Sequence, residues 1–76
     1  MDNIDLDLIK SVIKTKIELE NANKNFDIAE DELIDYYSYK IKASKAKLNY
    51  LIKEAKKQGY EVDMINELKI KLQEAM

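Results

Sequence analysis

The feature that most constrains this chain is its lack of chain-breaking residues, because its 76 residues include no proline and a single glycine, Gly59. Proline and glycine are the residues that most often end helices and form the tight turns between strands. Without them, long uninterrupted helices are favoured over short strands joined by turns. The sequence therefore predicts an all-α protein.

The first apolar pattern predicts a helix over about residues 5–25. Its apolar residues recur every three or four positions and form a wide arc, which is typical of a helix of 3.6 residues per turn. The arc consists of Leu8, Ile9, Val12, Ile13, Ile17, Leu19, Ala22 and Phe26. Asp5 or Asp7 is predicted to cap the helix, because a carboxylate accepts hydrogen bonds from unpaired first-turn amides. Between Asn25 and Asp31 the pattern weakens, and we predict a short turn.

A second pattern predicts a longer helix over about residues 31–58. One face carries a seam that an antiparallel neighbour could cover, formed by Ile34, Tyr37, Ile41, Ser44, Leu48, Leu51 and Ala55. Gly59 is predicted to end this helix with a positive φ, which glycine adopts without a Cβ penalty.

A short third helix is predicted over about residues 63–75, with Val62-Asp63 at its start. Its apolar side consists of Ile65, Leu68, Leu72 and Ala75. We expect residues 1–76 to form a single helical domain, an antiparallel helical hairpin plus this short C-terminal helix, and to assemble as an oligomeric helical bundle.

The second helix has another row on its far side, about 150° from the seam at 100° per residue. This candidate protein interface consists of Tyr36, Tyr39, Ala43, Ala46 and Tyr50. Alanines permit close approach of a partner, and tyrosines supply rigid contact area with a polar tip. Helix three could instead cover the Ala46 and Tyr50 end, although it would not reach Tyr36 and Tyr39. We expect a homodimer or higher homo-oligomer, or an unknown protein partner, on the remainder.

The charge is uneven along the chain. Residues 1–35 carry ten acidic residues and four lysines, for a net charge of −6, whereas residues 36–58 carry seven lysines and one glutamate, for a net charge of +6. An alternative hypothesis is therefore nucleic-acid binding, with phosphates held by Lys40, Lys42, Lys45 and Lys47 and bases stacked on tyrosines. The overall charge of −2 and the absence of arginine argue against it.

Residues that commonly carry catalysis are absent, since the chain has no histidine and no cysteine. Serine or cysteine triads with histidine, Cys/His zinc sites and Glu-x-x-His di-iron sites are thereby excluded. The carboxylates of Glu18, Glu20, Asp31, Glu32 and Asp35 could bind a hard cation or act as acid and base, but no liganding loop arranges them. We predict solvated helix faces there, no catalytic, cofactor-binding or metal-binding residues, and no enzymatic activity.

The location is expected to be the bacterial cytoplasm. No stretch approaches the roughly 18 consecutive apolar residues that a membrane-spanning helix needs, and the first residues are acidic rather than basic. The abundance of isoleucine, lysine, asparagine and tyrosine is typical of a low-GC bacterial coding bias.

The second helix also carries the densest family resemblance. The relevant positions are Asp35-Tyr36, Tyr39, Ile41, Ala43, Ala46, Tyr50-Leu51 and the stretch from Ala55 to Gly59. They resemble the Asp-Tyr-x-x-Tyr and Tyr-Leu-Leu signature of the YaaL-like family of small uncharacterised Firmicutes proteins, a domain of unknown function. Upstream, Leu19, Ala22 and Phe26 match that family's Trp-x-x-Ala-x-x-x-Phe pattern, with leucine in place of tryptophan.

The resemblance covers roughly residues 8–60. The chain departs from the family pattern in lacking an Asp-Pro step in the turn and a basic N-terminal leader, and residues 61–76 extend past the usual end. The resemblance implies no established activity. In bacilli, genes of that family tend to lie near a recombination-mediator gene, which favours the nucleic-acid alternative slightly.

Overall fold

A computed structural model describes the backbone of residues 5–75, and the side chains of these residues except 62, 68, 69 and 72–75. Three helices follow one another: α1 (Leu6–Asp27), α2 (Glu32–Lys57) and α3 (Val62–Ala75). The described residues contain no strand, and α1 packs against α2 as a hairpin. The predicted all-α hairpin with a short third helix is thus confirmed. The side chains of Leu68, Leu72 and Ala75, predicted on the apolar side of helix three, lie outside the described residues.

Asp5 caps the start of α1. Its Oδ1 accepts a hydrogen bond of 3.0 Å from the backbone amide of Leu8, which satisfies one of the free first-turn donors. Asp7, the alternative predicted cap, lies within the first turn, where its negative charge faces the positive end of the helix dipole. The sequence pattern therefore predicted the start of the helix correctly, and the structure identifies Asp5 rather than Asp7 as the capping residue.

The turn between the long helices is a true break. α1 ends at Asp27 and α2 begins at Glu32, so the predicted short turn occupies residues 28–31. Asp31 has φ 55° and ψ −131°, a backbone conformation that glycine adopts far more readily than other residues, and its side chain makes no capping hydrogen bond. The turn therefore stores backbone strain at Asp31.

The end of α2 forms a Schellman motif around Gly59, whose φ is 91°. The Gly59 amide donates to the Lys56 carbonyl over 3.0 Å, and the Tyr60 amide donates to the Ala55 carbonyl over 3.1 Å. These two bonds satisfy carbonyls that a helix end leaves unpaired. The predicted glycine cap is confirmed.

The apolar core lies at one end of the hairpin, which we call the base. There Ile9, Val12 and Ile13 of α1 meet Ala55 of α2 and Ile65 of α3, all of them buried. Helix α3 packs chiefly against α1, and the Lys16 Nζ of α1 donates a hydrogen bond to the Asn66 Oδ1 of α3. Helix α3 begins at Val62, one residue before the predicted start, and Asp63 lies in its first turn.

The opposite end of the hairpin, which contains the turn and which we call the tip, is much less buried. Along the predicted seam of α2, exposure rises from 0% at Ala55 to 44% at Ile34. The molecule measures 50 × 26 × 17 Å, and its radius of gyration of 14.3 Å exceeds the value of about 11 Å expected for a compact domain of this length. The chain by itself therefore forms an elongated hairpin whose core fills one end.

Candidate functional site

The side of α2 that faces away from α1 carries the predicted interface, hereafter the Tyr/Ala row (Tyr36, Tyr39, Ala43, Ala46 and Tyr50). All five residues are exposed, and the rings of Tyr39 and Tyr50 reach 70% and 63% exposure. The seam on the other side of the helix, from Tyr37 to Ala55, is half-buried or buried against α1. The structure thus separates the two faces of α2 as the spacing predicted.

Helix α3 leaves the Tyr/Ala row uncovered. Its buried residue Ile65 joins the base core beside Ile9 and Val12 of α1, and Asn66 bonds to Lys16 on the same helix. Ala46 and Tyr50, the part of the row that helix three could have reached, remain exposed. The alternative in which helix three covers this end of the row is therefore not the arrangement that the structure adopts.

The tip-proximal part of the row is held by aromatic contacts. The ring of Tyr36 meets the half-buried ring of Tyr37 edge to face, with centroids 4.9 Å apart and planes at 79°. The Lys40 Nζ lies 5.7 Å from the centroid of Tyr36 on the next turn, within the range of a cation–π contact. Tyr37 thereby links the exposed ring of Tyr36 to the seam.

Charged residues extend the row at both ends. At 100° per residue, Glu32 and Asp35 continue the same face into the first turn of α2, and Lys53 and Lys57 continue it into the last turns. All four are exposed, and Lys57 makes an ion pair of 3.1 Å with Glu54 of its own helix. The outer face of α2 therefore has an acidic end, a Tyr/Ala centre and a mainly basic end that also contains Glu54.

The four lysines proposed for nucleic-acid contact are all exposed but do not form one patch. At 100° per residue, Lys40 and Lys47 lie within about 20° of each other on one side of the Tyr/Ala row. Lys42 and Lys45 lie on the other side, within about 60° of each other. The lysines thus form two narrow strips that flank the row.

A second exposed apolar patch, not identified from the sequence, lies at the tip. Phe26 was assigned to the apolar arc of helix one and Ile34 to the seam of helix two, yet both side chains are exposed. Ile28 and Leu33, on either side of the short turn, are exposed as well. The sequence could have predicted the exposure of these four residues from their position next to the turn, because they lie far along the helices from the residues that form the base core.

The carboxylates that could have bound a hard cation are spread over α1 and the tip. Among the described residues, no group of three or more histidine, cysteine, aspartate or glutamate side chains is placed to hold a metal ion. Glu18 is half-buried and Glu20 exposed on α1, whereas Asp31, Glu32 and Asp35 lie exposed around the tip. Within the described part of the chain, no helix is long and apolar enough to cross a membrane.

Comparison with known proteins gives a match to a protein family. A family model described as a protein of unknown function (DUF2508) matches residues 2–62, slightly more than the range that the sequence signature covers. The matched range contains α1, α2 and the turn after α2, including the whole Tyr/Ala row. No curated protein and no solved structure matches the chain.

Proposed function

The chain belongs to the DUF2508 family, whose function is unknown, and we propose that it is a small helical interaction module that associates with itself through the Tyr/Ala row of α2. The observation that carries this proposal is the exposure of three tyrosines and two alanines on a face that neither α1 nor α3 covers. Scattered exposed apolar residues are normal on monomers, whereas a continuous row on one helix face is typical of an interface.

The surface area of the chain supports the same proposal. Its accessible surface is 5830 Å², whereas a folded monomer of 8.9 kDa exposes about 4,800 Å². The excess of about 1,000 Å² on one chain is comparable to the area of about 800 Å² that each partner buries in a standard-size interface. In α2, all of which the structure describes, Ala55 is the single buried residue, so most of this 26-residue helix remains available to a partner.

Sedimentation velocity of the wild type and of a Tyr39→Glu variant tests the proposal. We expect the wild type to sediment as a dimer or larger species at tens of micromolar, and the variant to shift towards 8.9 kDa, because the substitution places a charge at a packed face. Asn23→Glu on the exposed side of α1 is the matched control and is expected to leave the mass unchanged. A wild type that sediments as a monomer at all accessible concentrations would overturn the proposal.

Nucleic-acid binding is the weaker alternative. It is supported by the Lys40 ammonium over the Tyr36 ring and by the exposure of all four lysines. It is weakened by the arrangement of these lysines in two strips, because a single phosphate backbone could follow only one strip. Binding to single- or double-stranded DNA that weakens steeply with salt would favour it over self-association.

We further propose that the chain is a member of the YaaL-like family of Firmicutes proteins and that it acts in the cytoplasm. The sequence pattern supports both proposals.

A further inference from the structure

We infer that two copies of this chain pair through α2 in an antiparallel arrangement, in which Tyr39 of each copy lies against Tyr50 of the other. This inference rests on the proposed self-association and deepens it by giving the partner, the direction and the register. It follows from the order of residues along the outer face of α2, which is self-complementary only when one copy is reversed.

The residues at the centre of the face set the register. Ala43 and Ala46 are the smallest side chains of the row, so helix axes can approach most closely there, at about 8 Å. A two-fold axis midway between these alanines places Ala43 of one copy against Ala46 of the other. The same axis brings Tyr39 to the level of Tyr50, since Tyr39 precedes Ala43 by as many residues as Tyr50 follows Ala46.

The charged ends agree with this register. Reversal about the same axis places Glu32 of one copy opposite Lys57 of the other. Asp35 of one copy comes within one residue of the level of Lys53 of the other, on the same side of the interface. Each contact occurs twice by symmetry. Antiparallel helices also bring the positive end of one helix dipole next to the negative end of the other.

A parallel pair would lose each of these contacts. Glu32 would face Glu32 of the second copy and Lys57 would face Lys57, so like charges would meet at each end, although Glu54 would lie beside Lys53 of the second copy. The antiparallel pair has two unfavourable approaches. Asp35 of one copy comes to the level of Glu54 of the other, although Glu54 is paired with Lys57 of its own helix, and Lys40 of one copy approaches Lys47 of the other. Those ammonium groups are exposed on long flexible stems and are screened by solvent and salt. Charge complementarity therefore favours the antiparallel pair.

Disulfide crosslinking tests direction and register, because the chain has no cysteine of its own. Tyr39→Cys and Tyr50→Cys are prepared separately, oxidised alone and oxidised as an equimolar mixture. In the antiparallel register, like positions of the two copies lie about 16 Å apart along the helix, beyond the reach of a disulfide. The cysteine introduced in one variant instead comes opposite the cysteine introduced in the other.

The expected result is a crosslinked dimer in the mixture and little crosslinking of either variant alone. Efficient crosslinking of each variant alone would show a parallel pair and overturn the inference. If the wild type sediments as a dimer but neither the variants nor their mixture forms a crosslink, the inferred register is also overturned. Self-association would then still stand. A monomeric wild type would remove both proposals, so the two failures are distinguishable.

A charge exchange tests the end contacts without altering the tyrosines. Asp35→Lys and Lys53→Asp should each raise the dimer dissociation constant about tenfold, since each change replaces two attractions by two repulsions. The double variant should return to within about threefold of the wild type, because both copies then carry the reversed pair. Lys56→Asp, on an exposed side of α2 away from the row, is the matched control for Lys53→Asp. A double variant as weak as the single variants, or a control as weak as Lys53→Asp, contradicts the inference.

Discussion

The backbone amide of Asp5 donates a hydrogen bond of 2.7 Å to the side-chain hydroxyl of Tyr60, a residue 55 positions further along the chain. The Asp5 carboxylate at the same time accepts from Leu8, and the Gln58 side-chain amide lies 3.5 Å from its second oxygen. Tyr60 in turn packs against the base core. The start of α1 is thereby tied to the turn between α2 and α3, so the three helices are held together at the base.

Removal of the Tyr60 hydroxyl tests this tie. Tyr60→Phe keeps the ring against the core but leaves the Asp5 amide without its acceptor, and we expect the free energy of unfolding to fall by about 0.5–1 kcal/mol. Tyr50→Phe, on the exposed Tyr/Ala row, is the matched control and should change the free energy of unfolding of the monomer very little. Urea denaturation followed by circular dichroism measures both. Equal effects of the two variants would contradict the structural role of the Tyr60 hydroxyl.

Thr15 presents the opposite case, a buried hydroxyl without a partner. Its side chain is 1% exposed, and within the described part of the chain no group forms a hydrogen bond with Oγ1. Thr15→Val keeps the β-branched shape and removes the unsatisfied group, so we expect the free energy of unfolding to rise by about 1 kcal/mol. Thr15→Ser keeps the hydroxyl and loses the methyl group, and thermal denaturation should show a loss of stability. A destabilised valine variant would show that the hydroxyl has a stabilising partner.

Asp31 and Gly59, which both have positive φ, give a pair of predictions of opposite sign. Asp31→Gly should stabilise the protein by about 1 kcal/mol, since the backbone at φ 55° and ψ −131° strains a residue with a Cβ. Gly59→Ala should destabilise it by about 1 kcal/mol for the same reason, although the space around Gly59 is open. Both are measured by chemical denaturation. Equal signs for the two substitutions would contradict the backbone conformation of the turn or of the cap.

The contribution of α3 can be measured with two isoleucines of the same helix. Ile65 is 2% exposed in the base core, so Ile65→Ala should lower the free energy of unfolding by about 2–4 kcal/mol. Ile70 is 56% exposed, and Ile70→Ala should lower it by less than about 0.5 kcal/mol. Calorimetric unfolding of the two variants provides the comparison. If the two losses are equal, α3 does not dock on α1 through Ile65.

Local features were the ones that the sequence predicted well. The cap at Asp5, the break after Asp27 and the positive φ of Gly59 depend on residues within a few positions of each other, and the helix bounds agree within two residues. The two faces of α2 also followed from spacing alone, because a helix fixes the direction of each side chain. The exposure of the Tyr/Ala row could therefore be anticipated along most of its length.

Long-range features could not be predicted in the same way. Nothing in the local pattern shows that α3 packs on α1 and leaves Ala46 and Tyr50 exposed, because α1 and the Tyr/Ala row of α2 both offer apolar residues to a third helix. The bond between Asp5 and Tyr60 likewise depends on where the turn after α2 places one ring. The positive φ of Asp31 could not be predicted, because aspartate seldom adopts this backbone conformation. The exposure of the tip depends on how far the base core extends along the hairpin, which is also a long-range property.

The most direct test of the central claim, that the Tyr/Ala row is the contact surface between copies, is nuclear magnetic resonance cross-saturation between deuterated ¹⁵N-labelled and unlabelled chains. Irradiation of the unlabelled copies should reduce the amide signals of labelled residues from Tyr36 to Lys53, most strongly near Ala43 and Ala46. The exposed residues Asn21, Asn23 and Lys24 of α1 should retain full intensity. Signal loss centred on Ile28 and Leu33 at the tip, or no transfer at all, would contradict the claim.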